Sequence, residues 1–334
     1  MSPPTRSGHR GRRGRPQHGG TAARKRRRLG LRRLAALLAL VLVIAVVAVA
    51  GVSVARAHGH AARSRLRKSG PSATVRVHPT VTAPSPPATL KPAVADPQRA
   101  LASALAPILV HHSGTLAVGV IDRTTGARAL YRGAELFHTA SIVKADVLAV
   151  LLLRHQQAGT GLGAYEDELA EQMIEESDND AASGLWGDDG AAYGVAAANA
   201  ALGLTHTTPG TDYYWGLTTT TVSDQLRLLE DLTSPRSPLD AASRSFELDL
   251  MKDVTPAQAW GVSAAATPHT SFAVKNGWLP DPQLWVINSI GVIERAHQQL
   301  LVAVLSDDQP SEAVGIAQVE AVAVAAVDAV SGTS

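Results

Sequence analysis

A run of 22 residues without a charge, Leu34–Ala55, limits how this chain can fold more than any other feature. About 20 consecutive apolar residues cross the hydrocarbon core of a bilayer as a helix. The segment therefore reads as a membrane anchor that divides the 334-residue chain. Before it, residues 1–33 carry twelve Lys and Arg and no acid, against five basic residues in 56–68. That asymmetry predicts a cytoplasmic N-terminus and an extracellular C-terminal part. A cleaved export signal is the alternative, because Ala55-Arg56-Ala57 resembles a cleavage site. The apolar run is longer than the ~7–15 residues of a signal core, which favours the anchor. An Arg-rich tail can also bind RNA or anionic lipid, but a topogenic, disordered tail is the simpler expectation.

Seven prolines between 57 and 97, with almost no aliphatic periodicity, make 56–97 an extended linker. From 98 onward the chain has twelve basic and twenty-eight acidic residues, a balance of −16 hidden by the whole-chain value of +2. An acidic domain repels phosphate, so no nucleic-acid partner is expected. The absence of cysteine excludes disulfides, thiol catalysis and Cys-ligated zinc. The adjacent His111 and His112 diverge on a helix and read as solvated rather than metal-binding. No cofactor is expected, and the domain is expected to be a monomer.

Residues 98–334 carry globular patterns. Helical spacing starts at Pro97, and GTLAVGVIDRTTGARALYRG reads as a hairpin with a Thr-Thr-Gly turn. An apolar helix begins near Ser141 and ends at Ala158 before Gly159. Helical segments fill the middle, with a loop at SDND. The tail gives three strand-like runs and a closing helix. Strands from both ends pair most simply in one antiparallel sheet of about five strands. Helices flank that sheet and the middle helices make a second lobe, an α+β fold with a site between the lobes.

Three short motifs stand on these elements. Ser141 and Lys144, three apart on a helix, share a face, which sets an amine beside a hydroxyl. A serine hydroxyl is a weak nucleophile until a base takes its proton. A lysine can be that base when burial lowers its pKa, and Lys144 lies inside the apolar run FHTASIVKADVLAVLLL. The Ser141 N–H, at a helix start, is free to help stabilise an oxyanion. Ser177-Asp178-Asn179 reads either as a helix cap or as a second hydroxyl and amide for substrate. Lys275-Asn276-Gly277 lies in a strand-like run, where Lys and Gly both oppose strand preference. It is either a blunted edge strand with a bulge or a cation beside a close backbone approach.

In this order the motifs resemble the penicillin-recognising serine enzymes, the class A β-lactamases and related DD-peptidases, with their S-x-x-K, S-D-N and K-T-G. Asn179-Asp180-Ala181-Ala182 also continues as the family's helix does. The resemblance covers 98–334. It implies that Ser141 is acylated by an amide, with Lys144 a candidate base and Ser177 passing the proton to the leaving nitrogen. It implies that Asn179, Lys275, Asn276, Gly277 and Trp278 bind substrate, Trp278 N–H being the second oxyanion donor. Lys275 would hold a substrate carboxylate.

The sequence departs from that family at three places. Asn276 stands where the family has a hydroxyl that contacts the carboxylate. Trp278 replaces a small residue and is expected to wall the pocket. No E-x-x-L-N segment, the source of the deacylating glutamate, occurs; the shortened THTTPGTDYYWGLTTTT offers only Asp212, a possible substitute or a turn residue. The expected function is a membrane-tethered hydrolase of β-lactams. The alternatives are a D-Ala-D-Ala peptidase-like, slowly deacylating penicillin-binding protein acting on peptidoglycan peptides, and a non-catalytic wall-binding or sensing module.

Overall fold

The apolar runs near both ends of the domain meet in one sheet, and their parity decides which layer each side chain enters. The computed structural model describes residues 94–332 apart from 282 and 296. The basic tail, the anchor at 34–55 and the linker up to 93 lie outside the described residues. Helix α1 (Pro97–Leu109) leads into the hairpin β1 (Thr115–Asp122) and β2 (Arg128–Tyr131). A two-residue strand β3 (Phe137–His138) and a 3-10 turn (Ala140–Ile142) precede α2 (Val143–Ala158). Helices α3 (Ala164–Glu175), α4 (Asn179–Asp188) and α5 (Ala191–Leu202) follow. Then come a 3-10 turn (Trp215–Leu217), β4 (Thr219–Thr220), α6 (Val222–Thr233) and α7 (Ala241–Lys252). Strands β5 (Phe272–Asp281), β6 (Leu284–Arg295) and β7 (Gln298–Asp307), and helix α8 (Glu312–Ser331), close the domain.

The five long strands form one sheet in the order β2-β1-β7-β6-β5, every neighbouring pair antiparallel. Successive side chains alternate between faces. Leu116, Val118 and Val120 of β1 and Val302 and Val304 of β7 pack in one core with residues of α1 and α8, such as Leu101 and Val322. Ala117 and Ile121, with Leu301, Ala303 and Leu305, face the other way into the core built on α2 and α6. Both faces are covered, which is why these strands are apolar throughout. At Gly119 an added Cβ would meet Val222 and Leu226 of α6 at 2.6 Å, so the close seat of that helix requires glycine.

The hairpin turn forms where the sequence placed it. The Asp122 carboxylate accepts the Thr124 N–H at 2.8 Å, and Gly126, at φ +79°, supplies the left-handed step. Among the described residues α8 is the helix long and apolar enough to span a membrane, yet it lies against β1, β6 and β7 with Val319, Val322, Ala323 and Val327 buried. At the β2 edge, the Gln98 side chain donates to Leu130 O at 2.8 Å and accepts Leu130 N–H at 3.0 Å. Its amide thus imitates one residue of a neighbouring strand.

Two details differ from expectation. The helix expected to start at Ser141 is split, with Ser141 on the 3-10 turn and Lys144 in the first turn of α2. Asn179 and Asp180, expected in a loop, already belong to α4, with Asp178 as its N-cap accepting from Ala181 N–H at 2.7 Å.

Helix α2 is buried at every position from Val143 to Leu153 and forms the axis of the helical lobe. Such enclosure traps polar groups. Glu247 of α7 is fully buried with neither carboxylate oxygen hydrogen-bonded. Burial, aided by the nearby Asp146 carboxylate, pushes its pKa well up. A carboxyl with a raised folded pKa loses stability as pH climbs above the ordinary carboxylate range, because the unfolded chain releases its proton first. We expect Glu247→Met to stabilise the domain by about 1–3 kcal/mol, with a larger gain at pH 8 than at pH 5, in urea titrations. A loss of stability at both pH values would show that the carboxyl is satisfied.

Candidate active site

Ser141 sits on a turn that the sheet holds from below. Asn288 of β6, fully buried, donates to His138 O at 2.7 Å and to Thr139 O at 3.0 Å, while its Oδ1 accepts Ser306 N–H at 3.0 Å. Ala140 is in the left-handed region at φ +48°, a conformation that costs a non-glycine residue about 1–3 kcal/mol and persists only when its surroundings impose it. Gly277 of β5 lies directly against this turn. A Cβ there would fall 2.7 Å from Ser141 N and Ile142 N. The glycine singled out in the third motif is therefore demanded by the nucleophile turn itself. The Ser141 hydroxyl makes no hydrogen bond with the described residues, and the residue borders a cavity.

The amine expected beside that hydroxyl is engaged just behind it. Lys144 is fully buried, and its Nζ donates to Ser177 O at 2.6 Å, Asn179 Oδ1 at 2.8 Å and Ser177 Oγ at 3.1 Å. No direct Ser141–Lys144 hydrogen bond forms, because these three acceptors take the amine. Burial lowers the Lys144 pKa to about 7, against a smaller opposing pull from the Asp178 carboxylate. Lys275, only 1% exposed, donates to Ser177 Oγ at 2.9 Å and to Asn276 O at 3.3 Å. Burial, then repulsion from Lys144, holds its pKa well below the usual lysine value. The Ser177 hydroxyl is thus suspended between two amines, on a residue that is itself left-handed at φ +59°. Two lysines 131 positions apart in the chain, one from the first motif and one from the third, converge on the hydroxyl of the second. The Ser177 hydroxyl is placed to pass a proton between the two amines, 3.1 Å and 2.9 Å away.

The cavity encloses about 570 Å³, within the range of small-molecule sites. Ser141 and Asn179 lie on its floor, and Tyr213, Tyr214, Trp215, Trp278 and Leu279 are among its walls. Trp278 borders the cavity as expected for its bulk, and the Trp260 ring braces it at 6.0 Å between centroids. Asn276 does not reach the cavity with its side chain. Its amide donates to Gln258 O at 2.6 Å and Trp260 O at 3.0 Å and accepts from Ser289 Oγ at 2.6 Å. Alternation explains this: Lys275 and Gly277 face the nucleophile, so Asn276 faces the opposite layer. Asp212 lies on an exposed turn at φ +51°, outside the cavity lining, where its carbonyl accepts Trp186 Nε1–H at 2.8 Å.

Sequence reasoning missed Ser183 and Asn288; Trp215, from the aromatic run Tyr213-Tyr214-Trp215, packs beside the site as that run predicts. The Trp215 ring lies 4.9 Å from Lys144 Nζ and its Nε1–H donates to Ser183 Oγ at 3.1 Å. It covers the amine from the shortened segment in which a glutamate was sought. Asn288 had a signal, a lone amide in the apolar run LWVINSIGVI.

A family model described as "Beta-lactamase enzyme family" matches residues 164–330, taking in Ser177 and Lys275 but beginning after Ser141. The Mycobacterium tuberculosis protein named "Putative lipoprotein LppW" is 29% identical over 197 residues, 56% of this chain and 62% of that protein. The chain therefore spans under two thirds of the length of this curated relative. A variant of the last common ancestor of Gram-negative bacteria β-lactamase class A superposes with TM-score 0.60 at 25% identity, covering 69% of this chain and 98% of that one. A mutant of PBP-A, in an acyl-enzyme complex with penicillin G, gives TM-score 0.60 at 18% identity, over 68% of this chain and 94% of its own, a likeness of fold.

Proposed function

Because the chain belongs to the β-lactamase enzyme family, of the class A penicillin-recognising type, we propose that it is a serine acyl-transfer enzyme that hydrolyses its acyl-enzyme slowly. Ser141 Oγ attacks an amide carbonyl of the β-lactam kind. The new ester bond forms as the C–N bond breaks. The Ser141 proton passes to neutral Lys144 and, through Ser177 Oγ, to the leaving nitrogen. The observation that carries this reading is the Ser177 hydroxyl held 3.1 Å from Lys144 Nζ and 2.9 Å from Lys275 Nζ, beside an unbonded Ser141. The Ser141 N–H and, on β5, the Trp278 N–H would receive the oxyanion. The second step needs a base for water, and among the described residues no carboxylate lines the cavity. A slow second step favours the penicillin-binding behaviour over rapid β-lactam turnover.

For the uncharged run at 34–55 we propose a membrane anchor that leaves this domain outside the cytoplasm, in keeping with a relative named as a lipoprotein.

Intact-protein mass spectrometry of the full chain in detergent tests the chemistry. A neutral fluorophosphonate should add one equivalent to the peptide containing Ser141, and none in Ser141→Ala. A β-lactam adduct should persist for minutes or longer, with Asp212→Asn changing its decay less than about twofold. Absence of fluorophosphonate labelling on Ser141 would remove the acyl-enzyme reading.

A further inference from the structure

We propose that the cavity selects a neutral acyl donor: an amide or ester with an aromatic or apolar acyl group and no carboxylate on its leaving group. The covalent part of this proposal rests on Ser141 being the nucleophile; the selectivity does not.

Among the described residues, the side chains that border the cavity include no lysine or arginine and one histidine, His138, whose Nδ1 lies 3.2 Å from Leu217 O. The one cation that the third motif supplies, Lys275, is 1% exposed and already donates to Ser177 Oγ and Asn276 O. The neighbouring amide that might have read an anion is spent elsewhere, since Asn276 binds Gln258, Trp260 and Ser289. The depressed pKa values of both lysines further reduce the positive charge behind the floor. Acids stand nearby, with Asp178 and Asp180 at the start of α4, and the domain as a whole is strongly acidic. A carboxylate entering such a cavity exchanges its water for a few polar groups such as Ser183 and Asn179 and for no lysine or arginine, an exchange that disfavours an anion.

Apolar groups meet the opposite conditions. Trp278, Leu279, Pro280 and Val286 make one side of the cavity, and Tyr213 and Tyr214 another. The Trp278 ring follows the parity of Asn276 and packs with the Trp260 ring against the core under α1 and α8, so Leu279 and Val286 carry the apolar side of the cavity. The reaction balances without further reagents. Ser141 Oγ bonds to the acyl carbon, the bond to nitrogen or oxygen breaks, the serine proton ends on the leaving group, and water later releases the free acid.

Penicillin G and its methyl ester differ only in the carboxylate and share a phenylacetyl group, so they make the test. Trp215 and Trp278 border the cavity, so quenching of tryptophan fluorescence reports binding, and mass spectrometry of the Ser141 peptide reports acylation. With the full chain in detergent, the ester should bind at least tenfold more tightly than the acid and acylate Ser141 faster where acylation occurs. Leu279→Arg, which sets a guanidinium on the wall, should shift that ratio at least tenfold toward the acid. Equal or tighter binding of the acid, absence of quenching by either compound, or a ratio unmoved by Leu279→Arg overturns the proposal. Tighter binding of the ester with no adduct from either compound or from a fluorophosphonate upholds the selectivity while rejecting Ser141 as nucleophile.

Discussion

Gly277→Val should abolish acylation of Ser141, by more than about 100-fold, and destabilise the domain by about 1–3 kcal/mol. The first atom of any side chain at 277 would lie 2.7 Å from Ser141 N and Ile142 N and 2.8 Å from Thr139 O, all backbone. No rotamer relieves such a contact, so either β5 or the nucleophile turn must move. Overpacking of this kind costs roughly 1–3 kcal/mol, and a displacement near 1 Å at a reacting atom costs about 100-fold in rate. The control is Gly187→Ala in α4, where an added Cβ meets nothing within 4 Å. That replacement should be neutral or stabilising, since it mainly restricts the unfolded chain. Fluorophosphonate labelling rates and urea midpoints for the two variants give the comparison. A Gly277→Val protein that labels at the wild-type rate would mean that β5 and the turn are not in contact.

Lys144→Met should lower the acylation rate by roughly 100- to 10,000-fold, the usual worth of a positioned base, while the protein remains folded. Methionine fills much the same volume and removes an amine that burial disfavours in its charged form. The pH dependence separates a base from a structural lysine. In the wild-type protein only the neutral amine accepts a proton, so labelling should rise with pH and level off above about 7. The stability sign is opposite to that of the buried acids. Between about 7 and 10.5 the unfolded chain holds a proton that the folded Lys144 has lost, so folding gains as pH rises through that interval. Relative to Lys144→Met the gain is on the order of 5 kcal/mol across the whole interval. A variant that labels at the wild-type rate, or a wild-type profile flat through neutral pH, would show that another group takes the proton.

Much of this site was legible because its chemistry is written in residue types that local structure does not favour. A lysine inside the apolar run at 137–153 and a Lys and Gly in a strand each lacked a structural reason; the two lysines meet the Ser177 hydroxyl and the glycine seats the turn of Ser141. Asn276 was assigned to the substrate because a motif was read as a unit, although strand parity already placed it on the opposite face from Lys275 and Gly277. The Trp215 cover on Lys144 was not legible, since an irregular segment carries no periodicity from which to place a side chain. For the same reason the two-residue ribbon of β3 and β4 could not be foreseen. Helix α7 escaped notice because only Ser243, Glu247 and Met251 of its twelve residues are buried, too few apolar positions to make a stripe.

The two margins of the sheet are treated differently. Along β2 the Gln98 amide occupies the backbone groups of Leu130, so another polypeptide could not pair there without displacing it. Along β5 no further strand is paired among the described residues, and Pro280 near its end has no N–H to offer. The β5 margin is thus the more receptive of the two to an extended ligand, and the proline shortens the stretch on which two copies could zip together.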